Sequence, residues 1–155
     1  MAWAKNGTPD TVSGGASTMS ISDLTAKIFN QFLTHQIQNG NVLQHRIDSL
    51  STSTYAERLS DNGGKPDSTN TSQTELETAT SATNDEFCVM YGFNKATEEK
   101  LFIAFIIGAN TSGATNAPRR REYVGKQVGT STQYTSIETI LTAANDSNLS
   151  ALGTD

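Results

Sequence analysis

Few residue types in this 155-residue chain could do chemistry, so their spacing decides what they can do. His35 and His45 are its histidines. On two strands joined at Asn39-Gly40, His35 faces Gln44 and His45 faces Thr34. The imidazoles then point to opposite faces and cannot hold one ion between them. Glu75/Glu77 and Glu98/Glu99 supply the paired carboxylates of glycoside hydrolysis. Such a pair works in a cleft beside aromatic sugar platforms, whereas these fall on a polar strand and in a hairpin loop. Asp61, Asn62 and Asp67 gather oxygen ligands suited to Ca²⁺, but without the regular acidic spacing of an EF-hand loop; a plain turn is the simpler reading. No serine sits in a nucleophile elbow, and no Walker or dinucleotide glycine pattern occurs. The single Cys88 excludes an intrachain disulfide and a cysteine-rich zinc site. It lies in an apolar strand, where a thiol is buried and inert. No catalytic, cofactor or metal site is expected.

One charge run remains: Arg119-Arg120-Arg121, followed by Glu122. On a strand, Arg119 and Arg121 share a face and Arg120 takes the other. A solvated edge is one reading. The other makes Arg119, Arg120, Arg121 and Glu122 subunit-contact residues, because guanidinium groups pair bidentately with carboxylates on a neighbouring surface.

The elements that must position these groups read as strands. Leu101 to Ile107 is a seven-residue apolar run, too short to span a bilayer. Its β-branched and aromatic bias predicts a strand with both faces covered. Before it, Phe87, Val89, Tyr91 and Phe93 alternate with Glu86, Cys88, Met90 and Gly92. The break at Asn94–Thr97 has hairpin length, so the two form the central antiparallel pair.

Further strands are expected up to Lys5, over Ser17–Ser22 with Met19 and Ile21 together, and over Tyr55–Leu59. Others fall over Ser68–Thr83 as a polar edge with Glu75 and Glu77 facing water, Arg119–Val124, Gln133–Leu141 with Ile137, Thr139 and Leu141 inward, and Leu149–Leu152. Asn145–Asn148 reads as a turn. Residues 23–38 fit two patterns. Apolar side chains recur at helical spacing, with Ser22 as a cap. Asn39-Gly40, however, signals a hairpin in which Ile37 faces Val42 and Phe32 faces Ile47. A strand from about Asn30 to Gln38 is preferred to a helix over residues 23–38, with one short helical turn near residues 23–29 leading into it. Roughly ten short strands between turns mean an all-β, antiparallel β-sandwich or jelly roll, one domain over residues 1–155.

Composition agrees. Hydrophobic residues make up 35% and charged residues 17%, which suits sheets with a solvated face and many turns. The net charge of −5 argues against a nucleic-acid binder, which needs a basic field. The N-terminus has no apolar secretory core, so synthesis in the cytoplasm and no membrane association are expected.

The last third carries a resemblance. Ala117–Lys126, Ser136–Ile140 and Ser147–Asp155, with the loops Ser60–Gly64 and Asn110–Ala114, resemble jelly-roll, concanavalin-like sandwich virion proteins of tailed marine bacteriophages. Gln127 stands where that family usually has an aromatic. The resemblance implies a non-enzymatic virion surface component with no cofactor, located in the virion. It implies the major capsid protein or other virion proteins as partners, and a homo-oligomer, with a trimer favoured. Because strands begin by Trp3 and leave nothing for a shaft, capsid decoration is expected over a tail fibre. A receptor- or carbohydrate-binding module, with a host-surface glycan as partner, is the alternative. Against it, Tyr91, Phe93, Phe102 and Phe105 are expected inside the central pair, with Tyr123 and Tyr134 at strand starts, as core rather than sugar platform.

Overall fold

The computed structural model describes residues 2–37, 43–63, 67–78, 85–109, 113–129 and 131–155. Twelve strands cover them: β1 Ala4–Lys5, β2 Asp10–Val12, β3 Ala16–Ile21, β4 Phe29–Ile37, β5 Gln44–Ile47 and β6 Tyr55–Asp61. They continue with β7 Ser68–Gln73, β8 Leu76–Glu77, β9 Glu86–Phe93, β10 Lys100–Gly108, β11 Arg119–Gln127 and β12 Ile137–Thr154. Every pairing is antiparallel, and the fold is a β-sandwich, as the strand pattern predicts.

The larger sheet runs β7-β6-β11-β10-β9-β4-β12, with β1 and β2 also pairing β12. The smaller consists of β3, β12, β5 and β8. β12 belongs to both: Ile137–Ile140 pairs with β3 and β5, while Asn145–Thr154 pairs with β4. Between these halves the register shifts twice, and Asp146 has a φ of 47°. Bulges of this kind bend a strand, and here the bend carries the chain from one layer to the other. Asn145–Asn148 is therefore not the chain-reversing turn its composition suggests.

The core lies between the layers. From the larger sheet come Phe32, Tyr55, Leu59, Cys88, Met90, Phe102, Ala104, Ile106, Tyr123, Leu149 and Ala151; from the smaller, Met19, Ile21, Ile47, Leu76, Ile137 and Leu141. Met19 and Ile21 share the inward face, as do Ile137, Thr139 and Leu141, as their alternation requires.

Three local expectations fail. No helical turn forms over the residues after Ile21; the chain is irregular from 22 to 28 and enters β4 at Phe29. β4 and β5 are not a hairpin, because they flank different halves of β12 in different sheets. The register placing Phe32 against Ile47 is replaced by Phe32 against Ala151 and Ile47 against Ile137. Asn39, Gly40 and Val42 lie outside the described residues. Finally, the polar segment after Ser68 is two strands, with β7 at the edge beside β6 and β8 beside β5 in the other sheet.

One end of the sandwich is clamped by buried amides. Asn6 Nδ2 donates to Asn30 Oδ1 at 2.8 Å, and Asn30 Nδ2 donates to the Tyr134 hydroxyl at 3.1 Å. Asn94 binds the Tyr134 backbone at both its N–H and its carbonyl, at 2.8 and 3.1 Å. These bonds hold the N-terminal segment and the approach to β12 against the β9–β10 hairpin.

Candidate functional site

The largest unusual feature is the outer face of the larger sheet. β10 strictly alternates: Lys100, Phe102, Ala104, Ile106 and Gly108 point inward and are buried, while Leu101, Ile103, Phe105 and Ile107 point outward and are exposed. An apolar strand buried on one side thus lays an apolar stripe on the other. β9 does the same with Phe87, Val89, Tyr91 and Phe93. The expectation that both faces of Leu101–Ile107 are covered is corrected: in the single chain one layer packs on this strand, and its other face is bare. The placement of Tyr91, Phe93 and Phe105 as core side chains is corrected too: all three lie on the outward face, with Tyr91 and Phe105 39% and 48% exposed. Phe102, Tyr123 and Tyr134 are buried as expected.

Register makes the stripe continuous. Leu101, Ile103, Phe105 and Ile107 stand beside Phe93, Tyr91, Val89 and Phe87 respectively. Phe29 and Leu33 of β4 extend the patch on one side, and Val124 of β11 extends it on the other. Trp3 meets Tyr91 edge-on, with ring centroids 6.5 Å apart, and Phe29 packs on Phe93 at 5.9 Å. Phe29, Phe87, Tyr91, Leu101, Ile103, Phe105, Ile107 and Val124 are each 39–51% exposed. With ~150–250 Å² per large side chain when fully open, the patch is on the order of 700 Å². Grooves cross it. One of about 420 Å³ is lined by Arg58, Asp67, Ile103, Phe105, Glu122 and Val124 among others; a second, of about 330 Å³, lies between Phe105, Ile107, Pro118 and Arg120.

The arginine run divides between the two faces as its parity predicts. Arg120 and Glu122 point outward at the margin of the patch, 3.9 Å apart. Arg121 turns inward, where its guanidinium holds Asp61 bidentately at 2.6 and 2.9 Å. That fork is occupied within the chain. Arg119 is half-buried on the same side as Arg121. Lys126, further along β11, meets Glu99 at 2.9 Å.

Arg121 belongs to a polar cluster that sequence reasoning does not assemble, because its members come from β6, β7, β8 and β11. Glu57 accepts hydrogen bonds from Asn70 Nδ2 at 2.8 Å and from the Glu77 N–H at 3.0 Å. The Glu77 carboxylate lies 3.9 Å from Arg121, and burial, followed by the charge of Glu57, raises its pKa. The signal in the sequence is weak: inward charged residues at alternating positions, Glu57 on β6 and Arg121 on β11. These groups are engaged with one another, which makes the cluster a clasp between strands rather than a reaction centre.

The remaining candidates are scattered. His35 lies on the outer face of β4 beside Phe87, while His45 is wholly buried in the smaller sheet. Asn62 Oδ1 accepts the Arg120 N–H at 2.9 Å, and Asp61 is engaged by Arg121, so two of the three oxygen donors in that turn serve the fold. Glu98 lies 4.0 Å from Lys95, and Glu75 lies 3.3 Å from Arg46 instead of facing open water. Cys88 is buried, and burial, followed by the charge of Glu86, pushes its thiol up to about 12. Among the described residues no three His, Cys, Asp or Glu side chains converge as a metal site, and no helix is long and apolar enough to cross a membrane.

No protein-family model matches the chain, and no curated protein matches it. Among solved structures it is similar to the CBM2 module of the evolved Dit of Lactobacillus casei BL23 phage J-1. That likeness has 10% identity, covers 94% of this chain and 76% of that one, and has a TM-score of 0.15. A score this low does not establish a shared fold.

Proposed function

We propose that this chain is a non-enzymatic virion structural protein, specifically a capsid decoration protein that holds neighbouring subunits by contact area. The observation that carries the reading is the bare apolar face of the larger sheet. Monomeric soluble proteins keep their largest apolar patch near ~300–600 Å², and a stable protein interface takes about 800 Å² from each partner. A patch on the order of 700 Å² built on rigid paired strands is therefore matched to an assembly contact. The sequence resemblance to phage sandwich proteins supplies the virion setting. Quantitative mass spectrometry of purified particles of the encoding virus tests it. Hundreds of copies per particle are expected; a few copies would move the protein to the tail or a vertex, and absence ends the virion reading.

One observation favours a second reading, a carbohydrate-binding module. The groove of about 420 Å³ sets the exposed Phe105 ring beside Arg58, Asp67 and Glu122. An open ring flanked by polar groups is how proteins stack and orient a sugar. Specific, saturable binding on a glycan array, lost on Phe105→Ala, is the expected result under this reading. A blank array removes it.

A further inference from the structure

We infer that the bare face of the larger sheet pairs with the same face of a second copy, about a two-fold axis running parallel to β9 and β10. The pairing rests on reading this face as an assembly surface; it makes a two-fold dimer the unit in place of the trimer that the resemblance favours, and the register specifies it. In the β9–β10 pair, each row across the strands holds one aromatic and one aliphatic side chain: Phe87 with Ile107, Val89 with Phe105, Tyr91 with Ile103, and Phe93 with Leu101. A two-fold axis along the strands, midway between them, lays β9 of one copy over β10 of the other and leaves each row at its own height. Every aromatic then meets an aliphatic. Facing layers that alternate large and small side chains interdigitate without voids or overlap.

The same operation keeps strand directions aligned, the usual way two sheets pack face to face, about 10 Å apart. Isologous contact needs a surface complementary to itself, and these four rows have that property. A two-fold axis across the strands, by contrast, would set Leu101 near Phe87 and Ile107 of the second copy. Area and chemistry also fit: no charged residue stands on the outward positions of β9 or β10, as expected of the apolar centre of a homodimer interface. The margin carries both signs, Arg120 and Lys126 with Glu122 and Glu99.

The test is the solution mass of the full chain. Sedimentation at ~10 µM, a concentration well above the dissociation constant of a standard-size interface, should give about 33 kDa, twice the 16.6 kDa chain. Ile103→Glu should return it to 16.6 kDa with an unchanged far-UV spectrum, since the side chain points away from the core. Leu101→Cys tests the axis. The two Leu101 positions lie about 11 Å apart across the proposed axis, against more than ~20 Å for the transverse one. A bis-maleimide of ~10 Å reach should therefore link the Leu101→Cys dimer in high yield. The buried Cys88 adds no background. A monomeric wild type, a trimer, a dimer indifferent to Ile103→Glu, or a dimer that Leu101→Cys cannot link overturns the pairing. None of these alters copy number in the particle, so the virion reading stands or falls separately.

Discussion

His45 should make this protein acid-sensitive well above the range where carboxylates titrate. Alternation on β5 points it inward, between Thr139 of β12 and Leu76 of β8, with no exposed surface. Its Nδ1 lies 3.0 Å from Thr139 Oγ1, and its Nε2 has no hydrogen-bond partner among the described residues. Burial alone pushes its pKa from 6.5 down to about 4. The unfolded chain thus takes up a proton below pH 6.5 that the folded chain refuses until about 4. Stability is complete above 6.5 and is lost as pH falls through that window.

A tenfold difference in proton affinity between the folded and unfolded chain is worth ~1.36 kcal/mol. The loss between pH 7 and 4 is therefore about 3 kcal/mol, a large part of a typical domain's stability. Urea melts at pH 7, 6, 5 and 4 on the wild type and on His45→Leu isolate it by difference. Other groups contribute differently. Asp23 and Asp155 have lowered pKa values through hydrogen bonds from Thr8 and Lys27, so their losses come mainly below 3.8. Glu77, with its raised pKa, acts in the opposite direction and strengthens the fold as pH falls. Wild-type stability should drop about 3 kcal/mol further than the variant's. Parallel curves between pH 7 and 4 would refute burial of a neutral imidazole.

Three further outcomes are expected. Phe32→Ala, which empties a fully buried site beside Tyr134, should lower unfolding free energy by about 3–5 kcal/mol in urea titration. Arg121→Ala should cost about 1–3 kcal/mol, discounted because Asp61 is 40% exposed, and Arg121→Lys should recover less than half of it because the bidentate fork is lost; full recovery by Lys would show that charge alone matters. Cys88 should resist Ellman's reagent at pH 8 in the native protein and react at once in denaturant, whereas rapid native reaction would mean an accessible thiol.

Period-two alternation makes the strands legible, because it follows from backbone geometry and needs no knowledge of partners. Met19 with Ile21, and Ile137 with Thr139 and Leu141, can be grouped on one face for that reason. Partners are another matter. Asn39-Gly40 is a strong local hairpin signal, yet β4 and β5 each find β12, about a hundred residues away, and local chemistry cannot register a competitor so distant. The polar run Asn145–Asn148 likewise reads as a reversal. A turn and a β-bulge both call for residues that accept a positive φ, as Asp146 does at 47°, and only the pairing on either side tells them apart.

The exposed stripe escapes sequence reasoning because alternation says which residues share a face and not which face is inside. On β9 hydrophobicity alone would bury Phe87, Val89, Tyr91 and Phe93, and the structure buries Glu86, Cys88, Met90 and Gly92 instead. Space decides. The interlayer is already filled by Phe32, Phe102 and Tyr134, whose rings pack at 6.0–6.2 Å. A Cβ at Gly92 would run into the Tyr134 hydroxyl and the Phe102 ring. Small inward residues such as Gly92, Cys88 and Ala104 are therefore what the core requires, and the larger set must point away from it. Aromatic and branched side chains on a face the core cannot use are what the proposed pairing with a second copy would cover. On that ground the exposed stripe carries more functional information than any ionisable residue in the sequence.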